Sequence, residues 1–235
     1  MDPESRRAWT EIVTPEDYDR HMETIGQAGA SADLVAQFLS WTHLPGGSNV
    51  VIVGAGTGWM LDHSDLASLR ELRLTFTDLS PRFLNKLRER VGAHRLTADV
   101  LEDDIEATKL PSGMDLLIAS LVLEHIDWMR GAASITGLSP RFIGVVLQEN
   151  PPGMTTSITP GRPLPPSISE ASKIALSHLV PKGEIVAEFE RLGYPCDRET
   201  SRVVADGKRL IGYLFGRGPR LRPRTVKKGP TSMFL

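Results

Sequence analysis

VVIVGAGTGWM, residues 50–60, joins a run of β-branched apolar residues to three glycines at alternate positions, Gly54, Gly56 and Gly58. A short, unbroken apolar run of this kind reads as a strand buried on both faces. Glycines placed directly after it let the backbone turn sharply and come close to a ligand. The stretch therefore predicts a strand leading into a ligand loop, and the flanking sequence must say which ligand.

Outward from this point the alternation of strand and helix recurs. NVVIV (49–53), LRLTFT (72–77), HRLTA (94–98), MDLLIAS (114–120) and FIGVVLQE (142–149) read as five strands. A helix over roughly 15–42 precedes them, with Thr14 as cap, Pro15 in the first turn, and Leu34, Val35, Phe38 and Leu39 on one face. Pro45, Gly46 and Gly47 end it. SPRFLNKLRERV supplies Ser80 as cap, Pro81 at the first helical position, and Phe83, Leu84, Leu87 and Val91 as an apolar stripe. Ser167 and Glu170 form a capping-box pattern for a helix over 168–179. GEIVAEFERLGY gives a further helix ending at Gly193, and RETSRVVA and KRLIGYLFG form a hairpin around Asp206-Gly207. This pattern predicts an open, doubly wound α/β sheet of about seven strands, mostly parallel with one antiparallel C-terminal strand, plus an N-terminal helical cap. Residues 1–44 are read as that cap and 45–216 as the sheet domain. The Pro-rich stretch 151–167 is read as a lid loop. Residues 217–235, with Arg217, Arg220, Arg222, Arg224, Lys227 and Lys228 and no apolar period, are read as a basic, disordered tail.

The bulk numbers narrow the function classes. A 235-residue chain with 40% hydrophobic and 24% charged residues is an ordinary globular composition. The formal net charge of -2 argues against a general polyanion binder, so nucleic acid is not expected as a partner in spite of the basic tail. Cys196 is the only cysteine, which excludes an internal disulfide and a multi-cysteine zinc site and fits a reducing, cytoplasmic setting. The N-terminus shows no apolar signal region, and no apolar run approaches the ~18 residues of a membrane span.

Two phosphate-binding loops fail on the sequence. A P-loop needs Gly-Lys-Ser/Thr at its end, where this chain has Gly58, Trp59 and Met60. A dinucleotide fingerprint needs a third glycine at the position of Trp59, where an indole replaces a hydrogen. VIVGAG remains a common opening of NAD- and FAD-dependent oxidoreductases, so that class stays as an alternative.

The spacing of Gly54, Gly56 and Gly58, the acid in LTFTDLS, the acid in LTADVLED, the segment MDLLIASLVLEHIDW and the closing EIVAEFERLGY and LIGYLFG follow one another in order. Together they resemble the class I S-adenosylmethionine-dependent methyltransferases, a Rossmann-like family, over roughly residues 45–216. The resemblance implies S-adenosylmethionine as cofactor. It places Gly54, Ala55, Gly56 and Gly58 in the cofactor loop, Asp78 with Leu79 at the ribose, Asp99 with Val100 at the adenine, and Ser120 at the end of the fourth strand. The chain departs from the family at Ile52, where an acid usually faces the methionine ammonium.

Methyl transfer chiefly requires that the acceptor be positioned and water excluded; a base is needed only where the acceptor must lose a proton. His125 and Glu124, in LVLEHID, and Gln148 and Glu149, at the end of the fifth strand, stand where such a group belongs. Of these, Glu149 and His125 are taken as the catalytic candidates. Tyr18, His21 and Met22 are candidate contacts from the cap, and His178 lies on the lid helix. The expected function is methylation of a small-molecule acceptor, in a chain whose oligomeric state the sequence leaves open. A cofactor-binding protein without methyl transfer, suggested by Ile52, is the other alternative.

Overall fold

The computed structural model describes residues 1–159, 161–175 and 179–217. Its centre is a seven-stranded sheet built from β1 (Asn49–Val53), β2 (Arg73–Asp78), β3 (Ala98–Glu102), β4 (Leu116–Ser120), β5 (Phe142–Glu149), β6 (Cys196–Val203) and β7 (Arg209–Gly216). The spatial order is β3-β2-β1-β4-β5-β7-β6. β1 pairs in parallel with β2 on one side and β4 on the other, while β7 runs antiparallel to both β5 and β6. The expected α/β sheet with a single reversed strand is therefore the observed one.

Helices cover both faces: α1 (Pro3–Arg7), α2 (Pro15–Thr24), α3 (Gln27–Thr42), α4 (Leu66–Arg70), α5 (Pro81–Ala93), α6 (Trp128–Gly137), α7 (Pro166–Ala171) and α8 (Lys182–Arg191). On one face Leu34 and Phe38 of α3 and Leu84 and Leu87 of α5 pack against Val50, Ile52, Leu74 and Phe76. On the other, Ile135 of α6 and Ile185 and Phe189 of α8 pack against Leu117, Ile143, Tyr213 and Phe215. These are the apolar stripes of the amphipathic helices meeting the continuous apolar strands that parallel sheets require.

Three expectations need correction. The helix over 15–42 is two helices, because Ile25 ends the first and Gly26, with φ +68°, turns the chain before Gln27. The third strand is Ala98–Glu102 rather than 94–98. α5 runs on to Ala93, Arg95 takes φ +53°, and the Leu96 amide closes the helix end on the Val91 carbonyl. Leu96 is buried as a plug at this turn, while the edge strand itself is largely exposed and so carries no apolar period. The glycine loop leads into a 3-10 turn, Trp59–His63, and the short α4. The helix expected at 168–179 starts earlier, with Pro165 as cap, and ends at Ala171; Ser167 lies inside it and bonds to Asp17 instead of capping. His178 and the tail beyond Arg217 lie outside the described residues.

Candidate cofactor and acceptor site

The sheet order reverses at β1 and β4, and it is there, past the carboxyl ends of the strands, that an open α/β sheet leaves a crevice. A cavity of about 220 Å³ occupies it. Its floor is Gly54 and Gly56 after β1, Thr77, Asp78 and Leu79 at the end of β2, and Ser120, Leu121 and Val122 after β4.

The glycine loop is held by packing from below. Gly54 has φ +59°, and a Cβ there would stand 2.3 Å from Val122 Cγ2. A Cβ on Gly58, φ +73°, would meet Leu87 Cδ1 at 2.4 Å. Only glycine satisfies both the dihedral and the close approach. Asp78 ties loop and strand together: Oδ2 accepts from the Gly56 amide at 2.8 Å and Oδ1 from the Ser80 amide at 2.8 Å. Burial pushes the Asp78 carboxyl up, and these two amides act against that shift. A carboxylate has about four acceptor positions, so two bonds leave capacity for a pair of vicinal hydroxyls. A second brace lies behind the loop. Arg90 donates to the Thr57 carbonyl at 2.8 Å and to Asp19 at 2.5 Å, stacks 4.5 Å over Trp59, and pairs with Asp62 at 3.0 Å. Thr57 also donates to Asp19, so this buried ion pair fastens α2 of the cap to the glycine loop.

The roof comes from two distant parts of the chain. Trp9, Val13, Tyr18, His21 and Met22 descend from the N-terminal cap, and Ser157, Ile158, Ile168 and Ala171 from the stretch after β5. They are latched together. Ser167 donates from its amide and its hydroxyl to Asp17 Oδ2 at 2.9 and 2.8 Å, and accepts from the Thr14 amide at 3.1 Å. These bonds hold the Asp17 carboxyl below the ordinary carboxylate range. Asn150 folds the Pro-rich stretch by donating to the Met154 and Thr156 carbonyls at 3.0 and 2.7 Å. Arg162 and Thr159 then fasten it to Asp206, each at 2.6 Å.

Of the residues expected at the site, Gly54, Gly56, Asp78, Leu79, Ser120 and His125 border the cavity, as do Tyr18, His21 and Met22. Ala55 lies within the loop and Gly58 behind it, buried against Leu87. Asp99 and Val100 lie inside β3, Asp99 exposed, and neither is among the residues that border the cavity. The acid that follows the third strand is Asp103, whose Oδ2 is buried without a hydrogen-bond partner. Asp104 and Ile105 follow it along the cavity wall. The shift follows from the misplaced strand: with β3 four residues later, its loop acid is four residues later as well.

Glu149 is likewise not brought to the cavity; it lies 3.9 Å from Arg209 across the β5–β7 pair, and its side chain is 41% exposed. Glu124 holds that place instead. It is buried, one oxygen accepts from the Gln148 amide at 2.7 Å, and the other has no partner. Burial pushes its carboxyl up to about 7. Gln148 continues the network, accepting from Gln27 at 2.8 Å and donating to Asn150 at 2.8 Å and to the Ser157 carbonyl at 3.1 Å. His125 stands beside Glu124 with its ring 4.8 Å from Trp9. Ile52 is fully buried under α3, so no acid stands behind the first glycine.

Residues 51–136 match a family model described as a methyltransferase domain. Among solved structures, magnesium protoporphyrin IX methyltransferase from Synechocystis PCC 6803, with bound SAH, matches with TM-score 0.59 and 13% identity over 78% of this chain and 81% of that one. The mitomycin 7-O-methyltransferase MmcR matches with TM-score 0.58 and 19% identity, over 85% of this chain and only 56% of its own length. The cyclase SpnF matches with TM-score 0.61 and 12% identity over 80% of each chain. No curated protein sequence matches this one. Residues 51–136 thus match a methyltransferase domain, and the chain has the fold of the class I methyltransferases it resembles. Among the described residues no helix is long and apolar enough to cross a membrane.

Proposed function

We propose that the protein transfers the methyl group of S-adenosylmethionine to a small-molecule acceptor. The observation that carries this reading is the convergence of three elements on one cavity: the glycine loop, the Asp78 carboxyl, and the unpartnered buried oxygen of Asp103. They match the chemistry of a nucleoside. Asp78 has spare acceptor positions for ribose hydroxyls, and Asp103 Oδ2 is an acceptor awaiting a donor such as an adenine amino group. The cofactor supplies an electrophilic methyl on a sulfonium. The chain's own part is to seat the acceptor beneath Trp9, Tyr18 and Phe83 and to keep water out with the latched cap and Pro-rich stretch. With Ile52 apolar, the methionine ammonium falls to backbone carbonyls of the loop or to another acid.

Calorimetric titration with S-adenosylmethionine, S-adenosylhomocysteine and NADH in parallel tests the reading. Micromolar binding of the first two and none of NADH supports it. Binding of NADH alone moves the protein to the oxidoreductases. A second reading, a cofactor-binding protein that does not methylate, is favoured by Ile52 and by the likeness to a cyclase of the same fold. Tight cofactor binding with no turnover across a broad acceptor panel selects it.

A further inference from the structure

The acceptor end of the cavity is chemically one-sided. Its aromatic wall is continuous: the Trp9 and Tyr18 rings lie 6.2 Å apart, Tyr18 and Phe83 5.0 Å, and Trp9 meets His125 at 4.8 Å. No Lys or Arg is among the described residues that line the cavity as a whole; of its acids, Asp78 and Asp103 stand at the cofactor end, Asp104 is paired with Arg6, and Glu124 stands beside His125 at the aromatic wall. The Met1 α-amino group at its edge is paired with Glu106. The cations nearest His21, Lys208 and Arg162, are held outside by the Ser157 carbonyl and by Asp206. Inside, Glu124 presents a carboxyl oxygen that is buried and unpartnered.

An anion entering here would lose its hydration, find no lysine or arginine on the lining, and face the Glu124 carboxyl. An ammonium on an aromatic body would gain ring faces and a charge-assisted bond to a carboxylate. We propose that the acceptor is an aromatic amine-bearing molecule with no anionic group, its nitrogen seated at Glu124 Oε2. This deepens the methyltransferase reading and rests on it. The proton balance follows: the ammonium gives one proton to the Glu124 carboxylate, and the freed lone pair forms the new C–N bond as the S–CH3 bond breaks. The products are the methylated ammonium and the neutral thioether.

The test uses three matched probes, phenethylamine, 2-phenylethanol and phenylacetate, titrated into the whole protein saturated with S-adenosylhomocysteine. Phenethylamine is expected to bind at least about tenfold more tightly than phenylacetate, a difference of about 1.4 kcal/mol. In E124Q, checked for folding by circular dichroism, that advantage shrinks at least about fivefold while 2-phenylethanol is unaffected. Equal or tighter binding of phenylacetate, no binding of phenethylamine, or an unchanged preference in E124Q each overturns the proposal. If S-adenosylhomocysteine itself fails to bind, the methyltransferase reading falls. The order of the three probes on the protein alone then still decides the charge preference.

Discussion

Gly54 and Val122 meet where two strand ends converge, and the fit leaves no room for a methyl group. Gly54→Ala adds a Cβ into a β-branched neighbour at a positive φ, so it is expected to cost roughly 1–3 kcal/mol and to weaken S-adenosylhomocysteine binding, measured by denaturation and calorimetry. The two acids in and after β3 separate as sharply. Asp103→Asn is expected to weaken cofactor binding by about tenfold, since a buried acceptor partly becomes a donor, and Asp99→Asn to leave it unchanged. Equal effects would return the adenine contact to Asp99. Glu124 adds a pH signature. Its carboxyl is raised from 4.5 to about 7 by burial, so the native state holds the proton that the unfolded chain releases. Stability from this group is therefore present below about pH 4.5, falls as pH rises toward 7, and stays low above it. The stability of the wild type relative to Glu124→Gln should drop by about 3 kcal/mol across that window, read by denaturation at several pH values.

At the level of elements, the cap is part of the site because two independent bonds make it so. Asp19 and Arg90 fix α2 to the glycine loop, and Asp17 and Ser167 fix α2 to α7. Asp19→Asn removes one partner of a buried pair. The expected loss of stability is roughly 2–3 kcal/mol, held below the ~3–5 typical of such breaks because Arg90 keeps Asp62. Asp17→Ala cuts the latch to Ser167 without touching the loop. Hydrogen exchange in α2 and α7 should quicken by about tenfold while β1 and β4 stay protected. Equal exchange in the variant would mean that aromatic packing, not the latch, keeps the roof closed.

Across the whole molecule, the cavity is assembled from chain segments far apart in sequence: the cap, five strand ends and the stretch after β5. A ligand that binds there stabilises all of them at once, by about 2.7 kcal/mol at a concentration a hundredfold above its Kd. Much of this organisation was legible in the sequence. Apolar runs 49–53, 114–120 and 142–149 could only be buried strands, the spaced glycines could only be a tight loop, and Asp78 follows its strand directly. Their physical constraints are local, so residue order alone carries them. The edge strand, the break at Gly26 and the Pro165 cap depended on what the chain packs against, and there pattern reading slipped by a few residues. That slip moved the acid at the cavity wall, proposed for the adenine, from Asp99 to Asp103. The exchange of Glu149 for Glu124 is of the same origin. Carboxyls at the ends of two adjacent strands look alike in sequence, and the packing around each strand end decides which is desolvated beside the cavity and which lies near Arg209 at the surface. Sequence by itself determined the sheet and the tight loop that follows its first strand, because hydrophobic period and backbone freedom are written residue by residue. Only the tertiary structure decided which carboxyls face the cavity and that the cap and the Pro-rich stretch close over it together, because burial and pairing exist only once distant segments meet.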